Sequence, residues 1–334
     1  MTVLQIANYS EGVGGIAVQV KQIRDHLVAE GIVCDILSTK GSIINRFAAL
    51  VRLLFQGRKY DIFHIHACSD RGFFPAIIGV SFGRLLQKRI VLTYHGGGAA
   101  SFFQRRTVLV RFFLMRTDAN IVLSEFVGKV YQKYQIPYTV IPNIIELKEG
   151  IYRHRTIIRP RFIGIRSFSE VYNIECTLRG FQKVQLVIPD ASLMLLGDGP
   201  LREHLEEYVQ KHSIRNVLFV GRVCNEDIYN YLDKCDIMVS SSRFDNMPVS
   251  VLEGFNAGLL VIASNVGGVP YFIQDGINGL LFDSEDDEEL SQKMIYALEY
   301  PDEVQRMTIA AHESLEHYRW ENCRERLMQL YYGS

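Results

Sequence analysis

The chain has 334 residues, of which 48% are hydrophobic and 22% charged, a composition typical of a folded globular protein long enough for two domains. None of its apolar runs reaches the ~18 residues of a membrane-spanning helix, and its six cysteines lack the spacing of a metal site. We therefore expect a cytoplasmic protein with reduced thiols and no signal peptide, because the first residues already form a strand pattern.

The net charge of −1 conceals an uneven distribution of charge along the chain. Residues 1–155 hold 20 Lys and Arg against 10 Asp and Glu, whereas residues 156–334 hold 16 against 27. The basic first half predicts an anionic partner. Nucleic acid, a phosphate-rich ligand and an anionic membrane surface all fit this pattern.

Short apolar runs alternate with helical patterns in the first half, which predicts βαβ units and a parallel sheet. The first strand is followed by a loop containing Gly12, Gly14 and Gly15 and then by a helix over residues 16–30. The predicted strands of this half cover residues 3–7, 33–37, 62–65, 90–94, 119–123 and 139–141.

The second half repeats the pattern after a polar linker at residues 148–160. Its predicted strands cover residues 162–165, 192–196, 217–220, 236–239 and 260–263, with a helix over 174–184. Two successive doubly wound units predict a two-domain α/β protein whose ligands bind at the carboxyl ends of the strands. We place the domains at residues 1–155 and 156–315, followed by a C-terminal helix at 316–334.

Residues 243–279 contain the densest group of candidate ligand-binding residues. Asp245 and Glu253 lie eight residues apart around a predicted helix start, and a buried strand then leads to the glycine turn of Gly267 and Gly268. Helix N-termini and exposed backbone N–H groups bind phosphate, while carboxylates accept hydrogen bonds from hydroxyls. This region therefore predicts a site for a phosphorylated ligand that also carries hydroxyls.

Two glycine and histidine motifs stand at strand ends in the first half. The loop that ends at Gly15 lacks the spacing of a dinucleotide-binding fingerprint, and no acidic residue ends the second strand, so an NAD site is disfavoured. His95 ends a strand and precedes three glycines, which favours a functional position over core packing. His64 and His66 point to the same face of one strand, and packing is the preferred interpretation for this pair because a metal site would need a third ligand.

Together these motifs resemble the retaining GT-B glycosyltransferases of the large family 4 (group 1), in particular bacterial members that act on surface polysaccharides. The resemblance rests on a Glu-x7-Glu region with Asp245 in its first position, on the His95-Gly element, on Arg166 after a strand and on Gly-Asp-Gly-Pro at 197–200. It implies the GT-B fold: two Rossmann-like doubly wound domains facing a central cleft, with the C-terminal helix crossing back to the first domain.

The resemblance also implies roles for individual residues. Arg166 would bind the donor pyrophosphate and stabilise it as it leaves, and Glu253 would accept from ribose hydroxyls. His95, Arg166 and Asp245 are the implied catalytic residues, with His95 and Asp245 near the sugar. The implied donor-binding residues are Gly15, Arg166, Val223 (at the base), Glu253, Gly267 and Gly268. The lysine that the family carries a few residues after the arginine is missing here, which leaves the backbone amides or Arg71 as its replacement.

These roles predict a retaining hexosyltransferase that needs no metal or other cofactor and uses a nucleotide-sugar donor, with UDP-sugars favoured over GDP-sugars. The expected acceptor is a glycan or a lipid-pyrophosphate-linked glycan, and nucleic acid is not an expected partner. Basic amphipathic helices at residues 43–59 and 102–117 predict peripheral contact with an anionic membrane, although ordinary packing on the sheet also explains each helix. A nucleotide-sugar epimerase and a non-catalytic binding subunit remain alternatives.

Overall fold

The computed structural model describes residues 1–11, 14–147 and 150–333, so Gly12 of the glycine loop and the first two residues of the predicted linker lie outside the described residues. The chain forms two compact units. Unit 1 combines Met1–Ile144 with the chain from Trp320 onward, and unit 2 is Ile145–Arg319.

Unit 1 is built on a parallel sheet of six strands in the order β2-β1-β3-β4-β5-β6. Its strands are β1 (Thr2–Ala7), β2 (Val33–Ser38), β3 (Ile62–Ala67), β4 (Arg89–Tyr94), β5 (Ala119–Val122) and β6 (Thr139–Val140). Its first six helices are α1 (Gly15–Ala29), α2 (Ile43–Gln56), α3 (Phe74–Leu85), α4 (Ala99–Arg105), α5 (Thr107–Leu114) and α6 (Glu125–Lys133). The inner strands β1, β3 and β4 are buried almost throughout, as expected for a parallel sheet covered by helices on both faces.

Unit 1 has two hydrophobic cores, one on each face of its sheet. Leu4 and Ile6 of β1 pack with α2 to α6 on one face of the sheet, whereas Val3 packs on the other face with Leu27 of α1. Because successive side chains of a strand point to opposite faces, each of the strands β1 to β5 contributes to both cores.

Unit 2 contains a second parallel sheet of six strands in the order β12-β11-β10-β7-β8-β9. Its strands are β7 (Arg161–Ile165), β8 (Ser192–Leu196), β9 (Val217–Gly221), β10 (Ile237–Ser240), β11 (Leu260–Ser264) and β12 (Leu280–Phe282). Its helices are α7 (Ile174–Val187), α8 (Arg202–Lys211), α9 (Ile228–Leu232), α10 (Val249–Asn256), α11 (Asp287–Glu299) and α12 (Pro301–Ser314). Both units are therefore doubly wound, as predicted.

The last helix, α13 (Trp320–Tyr332), belongs to unit 1. Its Trp320 indole N–H donates to the Glu30 carboxylate at 2.8 Å, and the Tyr331 hydroxyl lies 2.7 Å from Nδ1 of His64. Leu327 and Tyr331 are buried against the α1 side of the sheet. The return of the C-terminal helix to the first unit is thus confirmed.

The observed division differs from the predicted domain boundaries. Unit 2 begins at residue 145 rather than 156, because the stretch taken for a linker is anchored in unit 2. Arg155 is buried and donates to the carbonyl of Cys235 and to the carboxylate of Asp236, at 3.1 and 3.0 Å. A buried arginine needs such partners, so a stretch that looks polar in sequence is part of the folded unit. Unit 2 also extends to residue 319 rather than 315.

Among the described residues, no helix combines the length and the apolar character needed to cross a membrane.

Candidate functional site

The candidate residues of unit 2 gather where the strand order of its sheet reverses. β7 and β10 are neighbours, and the chain proceeds outward from β7 on one side and from β10 on the other. Arg166 directly follows β7, and Ser240, Ser241 and Ser242 stand at the end of β10. In open α/β sheets such a reversal opens a crevice at the carboxyl ends of the strands, and ligands bind there.

The guanidinium of Arg166 is held by hydroxyls and by one carboxylate. Its Nη2 lies 2.9 Å from the Ser240 hydroxyl and 3.1 Å from Oδ2 of Asp245, and its side chain is only 9% exposed. Nη1 donates to the hydroxyl of Ser250 on α10, and Nε lies 3.4 Å from that of Ser242. A cation fixed in this way needs no rearrangement to meet the negative charge of a ligand.

Asp245 contacts Arg166 and its own loop. Oδ2 bonds the guanidinium and lies 3.3 Å from the Ser242 hydroxyl, while Oδ1 accepts from the N–H of Asn246 at 2.9 Å. Both carboxylate oxygens are therefore engaged within unit 2. The sequence predicted a carboxylate that faces the sugar, whereas these contacts describe one that orients the guanidinium.

Glu253 is the buried acid of the site. It lies in the second turn of α10 rather than at the helix start predicted from the sequence, because α10 begins at Val249. Among the residues that the structure describes, none donates a hydrogen bond to its carboxyl group. Burial raises the pKa of Glu253 to about 7, and the nearby charge of Arg166 opposes this shift. Such a carboxyl is available to accept hydrogen bonds from the hydroxyls of a ligand.

The glycines around the site allow close backbone approach. A Cβ on Gly197 would lie 1.8 Å from the carbonyl oxygen of Arg166, and one on Gly199 would lie 2.4 Å from that of Phe168. The Gly-Asp-Gly sequence therefore lets the loop after β8 pass against the loop that carries Arg166.

Gly267 and Gly268 differ in the availability of their amides. The N–H of Gly268 donates to the carbonyl of Asp245 at 3.0 Å, and a Cβ there would lie 2.2 Å from the carbonyl oxygen of Asn246. Gly268 therefore joins two loops, which corrects the prediction that its amide meets phosphate. In the described part of the chain the N–H of Gly267 has no partner, and its φ is +57°, so this amide remains available to a ligand.

Two points of the predicted donor site remain, the position of Val223 and the absence of the expected lysine after Arg166. Val223 lies half-buried in the loop after β9, at the same edge of the sheet as Arg166 but two strands away. Among the described residues, Asp245 is the charged group that contacts Arg166. Three serines thus contact the guanidinium where the resemblance implied a nearby lysine.

In unit 1, His95 is held by a chain of buried hydrogen bonds. Its Nε2 lies 3.0 Å from Nδ1 of His66, whose Nε2 lies 2.9 Å from Oε1 of Gln5. The Gln5 amide group donates to the carbonyl of Val20 at 2.9 Å, so Oε1 is an acceptor and His66 must carry its proton on Nε2. Its Nδ1 is then an acceptor, and His95 must donate from Nε2. His95 is therefore left with an unprotonated Nδ1.

Burial keeps the three histidines neutral. It lowers the pKa of His64 to about 3 and that of His95 to about 4, and it lowers the pKa of His66 well below its usual value. His64 lies 2.8 Å from the Thr93 hydroxyl and 2.7 Å from that of Tyr331. Both nitrogens of His64 and of His66 thus bond protein atoms, which supports the packing interpretation of this pair.

Gly15 is the first residue of α1, and its neighbour Gly14 has a φ of +92°. Both glycines are exposed, and a Cβ on Gly14 would meet nothing within 4 Å. Gly15 therefore stands at the N-terminus of a 15-residue helix, where an anion is favoured by free N–H groups and by the helix dipole.

Two sets of site residues were missed in the sequence. Of the serines that contact Arg166, Ser240 and Ser242 have a recognisable signal, because they follow the strand predicted at residues 236–239. Gln5 has a weaker signal, a polar residue inside the apolar strand β1. Such a residue must find hydrogen bonds in the core, but the sequence does not say where.

Comparison with known proteins gives matches along most of the chain. Residues 159–314 match the model of group 1 glycosyl transferases, and residues 37–149 match that of glycosyltransferase family 4. The N-acetyl-alpha-D-glucosaminyl L-malate synthase of Bacillus anthracis is 24% identical over 293 residues, which span 83% of this chain and 76% of that protein. The alpha-monoglucosyldiacylglycerol synthase of Streptococcus pneumoniae is 24% identical, spanning 97% and 83%.

A third relative is the UDP-Gal:alpha-D-GlcNAc-diphosphoundecaprenol alpha-1,3-galactosyltransferase of Escherichia coli, 25% identical over 73% of this chain and 68% of that protein. Among solved structures, Anabaena HepE in complex with UDP and glucose superposes with a TM-score of 0.80 over 100% of both chains, at 14% identity. Sucrose-phosphate synthase from Thermosynechococcus elongatus superposes with a TM-score of 0.81 over 99% and 98%, at 18% identity.

These structures share the two-sheet architecture described above, so the fold is GT-B. Because the two family models cover the core of both units, the chain belongs to the group 1 glycosyltransferases of the GT-B fold.

Proposed function

We propose that this glycosyltransferase moves a sugar from a UDP-sugar to a lipid-linked glycan and retains the configuration at the anomeric carbon. The observation that carries the proposal is that Arg166 and the buried carboxyl of Glu253 lie near each other where the strand order of unit 2 reverses. A fixed guanidinium suits a diphosphate, and a buried carboxyl without a donor suits the two hydroxyls of a ribose.

The donor site follows from the chemistry of these groups. Glu253 accepts hydrogen bonds from the ribose hydroxyls, and the backbone near Val223 contacts the base. Arg166, the Gly267 amide and the N-terminus of α10 bind the diphosphate. Asp245 holds the guanidinium in place, which assigns it a positioning role. The HepE complex with UDP and glucose supports UDP as the nucleotide.

The reaction replaces one glycosidic oxygen by another on the same face of the sugar. The bond from the anomeric carbon to the diphosphate oxygen breaks, a bond to the acceptor oxygen forms, and the acceptor proton passes to the departing diphosphate. Arg166 and the amides stabilise the negative charge that develops there, so no metal ion is needed for this task. His95 accepts a hydrogen bond from a sugar hydroxyl through its unprotonated Nδ1.

The acceptor proposal draws on the relatives. The name of the E. coli protein specifies a diphosphoundecaprenol-linked sugar, and that of the S. pneumoniae protein specifies a diacylglycerol. Transfer to a lipid-linked glycan would also suit the basic character of the first half of the chain, because such acceptors carry phosphate.

Product analysis tests the proposal. The purified protein is incubated with UDP-sugars and polyprenyl-diphosphate-linked acceptors, with and without EDTA, and the product anomer is assigned by NMR. We expect one UDP-sugar to give a product of the donor's configuration at an EDTA-independent rate. An inverted product or loss of activity in EDTA would contradict the mechanism. Conversion of the donor without acceptor would indicate an epimerase, and nucleotide binding without turnover would indicate a binding subunit.

A further inference from the structure

The face of unit 1 that is covered by α2, α3, α4 and α5 exposes apolar side chains. On α5, Val108 is 84% exposed, Phe112 is 49% exposed and Met115, at its end, is 48% exposed. Their spacing of four and then three residues places them in one stripe along the helix. Further exposed apolar residues on these helices are Leu54, Phe55, Leu85 and Leu109.

This stripe is not the side by which α5 packs on the sheet. Val110, Phe113 and Leu114 of the same helix are buried in the core of unit 1. An amphipathic helix that only covers a sheet needs one apolar side and turns polar residues to water. α5 has an apolar side toward the core and a second one toward solvent, which ordinary packing does not explain.

The same face carries a concentrated positive charge. Residues 51–59, 74–88 and 99–117, which lie in α2 to α5 or directly after these helices, hold nine Lys and Arg and no Asp or Glu. The opposite face is balanced, since residues 15–30 and 320–332, which contain α1 and α13, hold four residues of each sign. The charge asymmetry of the first half of the chain is therefore concentrated on one side of its sheet.

Arginines border the apolar stripe directly. Arg106 is exposed at the junction of α4 and α5, and the guanidinium of Arg116 stacks 3.7 Å above the Phe112 ring. The neighbouring carboxylates Asp70 and Asp118 pair with Arg105 and Arg84, at 3.1 and 3.0 Å. Within the described residues, these two pairs leave most of the positive charge of the face uncompensated.

We propose that this face, which we call the α5 face, docks on an anionic lipid bilayer. The apolar stripe enters the boundary between headgroups and acyl chains, and the surrounding arginines and lysines lie at the level of the lipid phosphates. A second copy of the chain fits less well, because a symmetric contact would oppose two strongly basic surfaces. The inference goes beyond the proposed reaction, since docking needs neither donor nor turnover.

Vesicle flotation tests the inference with the full chain. Vesicles of phosphatidylcholine alone are compared with vesicles that also contain phosphatidylglycerol, without any nucleotide. Three double variants are compared with the wild type: V108S/F112S removes the stripe, R106Q/R116Q removes two charges, and L186S/V187S alters an equally exposed apolar pair on α7 of unit 2. Circular dichroism and thermal unfolding verify that each variant is folded.

We expect the wild type and L186S/V187S to float only with the anionic vesicles. The V108S/F112S variant should lose at least about tenfold in partitioning, and R106Q/R116Q should lose about fivefold for each arginine removed. Equal binding to both vesicle types, no binding at all, or unchanged binding of V108S/F112S would overturn the inference. So would lipid-free dimers in sedimentation that V108S/F112S dissociates, because the stripe would then be a contact between copies.

Discussion

The carboxyl group of Glu253 links the stability of unit 2 to pH. Its pKa is raised to about 7 in the folded chain by burial, whereas an exposed Glu in an unfolded chain titrates near about 4.3. Between these two values the folded state binds more protons than the unfolded state, so the contribution of Glu253 to stability is full below the lower pKa and is lost as pH rises through 7. Ionisation of the buried carboxyl therefore lowers the stability of the folded chain above pH 7. This loss of stability disappears when a ligand donates hydrogen bonds to the carboxylate.

The first prediction concerns Glu253→Gln. Because glutamine does not ionise, the variant should be more stable than the wild type at pH 8 by up to about 3 kcal/mol, with little difference at pH 4.5. Urea unfolding at the two pH values measures this difference. The buried histidines also titrate in the acid range, but their contribution to the free energy of unfolding is the same in wild type and variant and cancels in the difference. Glu207→Gln, at an exposed position of α8, is the control, and equal differences at both pH values would contradict the prediction.

The second prediction concerns Asp245→Asn. Removal of the carboxylate leaves the nearly buried guanidinium of Arg166 without its counter-charge and should lower the free energy of unfolding by about 1–3 kcal/mol. UDP should then raise the melting temperature more than in the wild type, because the diphosphate replaces the missing charge. Asp233→Asn, at an exposed carboxylate that pairs with Arg153, should leave the UDP shift unchanged. A smaller shift in Asp245→Asn would instead favour direct contact between Asp245 and the donor.

The third prediction concerns the tautomer of His95. In the wild type, NMR of the imidazole nitrogens should show the proton of His95 on Nε2 near neutral pH. His66→Phe removes its acceptor and should shift this tautomer and lower kcat by at least about tenfold. His64→Phe is the matched control, since His64 contacts Thr93 and Tyr331 rather than His95. Both substitutions should lower the stability of the protein. If His95 keeps its wild-type tautomer in His66→Phe, His66 does not orient His95.

At the scale of elements, the positions of the strands were predictable for a physical reason. Strands of a parallel sheet are buried on both faces and therefore read as continuous apolar runs, and each strand predicted from the sequence is present within one or two residues of its bounds. β12 was missed because its three residues are too short to form a pattern. The helix predicted over residues 102–117 is interrupted near Arg106, where α4 ends and α5 begins.

The contacts between loops were not predictable from the sequence. The partners of Arg166 lie 74 to 84 residues further along the chain, and only the packing of β7, β10 and α10 brings them together. The same holds for the amide of Gly268, which the sequence places beside a phosphate and the structure places on the carbonyl of Asp245. Motifs locate residues at strand ends, but they do not show which groups are already bonded to each other.

The fourth prediction concerns the loop after β8. Gly197→Ala should destabilise the protein by more than about 3 kcal/mol, because its Cβ would overlap the Arg166 carbonyl and φ is +146°. Gly276→Ala is the matched control: its φ is also positive, but nothing lies within 4 Å, so only about 1–2 kcal/mol of backbone strain is expected. Thermal unfolding compares the two variants. Equal losses would mean that the two loops do not depend on close approach.

At the scale of the whole molecule, the sequence motifs predicted the GT-B fold and the glycosyltransferase family correctly. The boundary between the units was the weaker prediction, because Arg153 and Arg155 look like linker residues and are in fact bound within unit 2. The charge asymmetry was visible in the sequence, but only the topology of the first sheet shows that the excess positive charge lies on one of its faces. Fold and family follow from local patterns, whereas bonding within the site and the use of surfaces depend on tertiary packing.

The most direct test of the central claim is a calorimetric titration of the wild type and of Glu253→Gln with UDP, 2′-deoxy-UDP, GDP and ADP. If Glu253 receives the ribose hydroxyls of a UDP-sugar, UDP should bind tightest. 2′-Deoxy-UDP should then bind at least about tenfold more weakly, and Glu253→Gln should lose most of the difference between the two. Equal affinity of the wild type for UDP and 2′-deoxy-UDP, or no binding of any nucleotide, would contradict the proposed donor site.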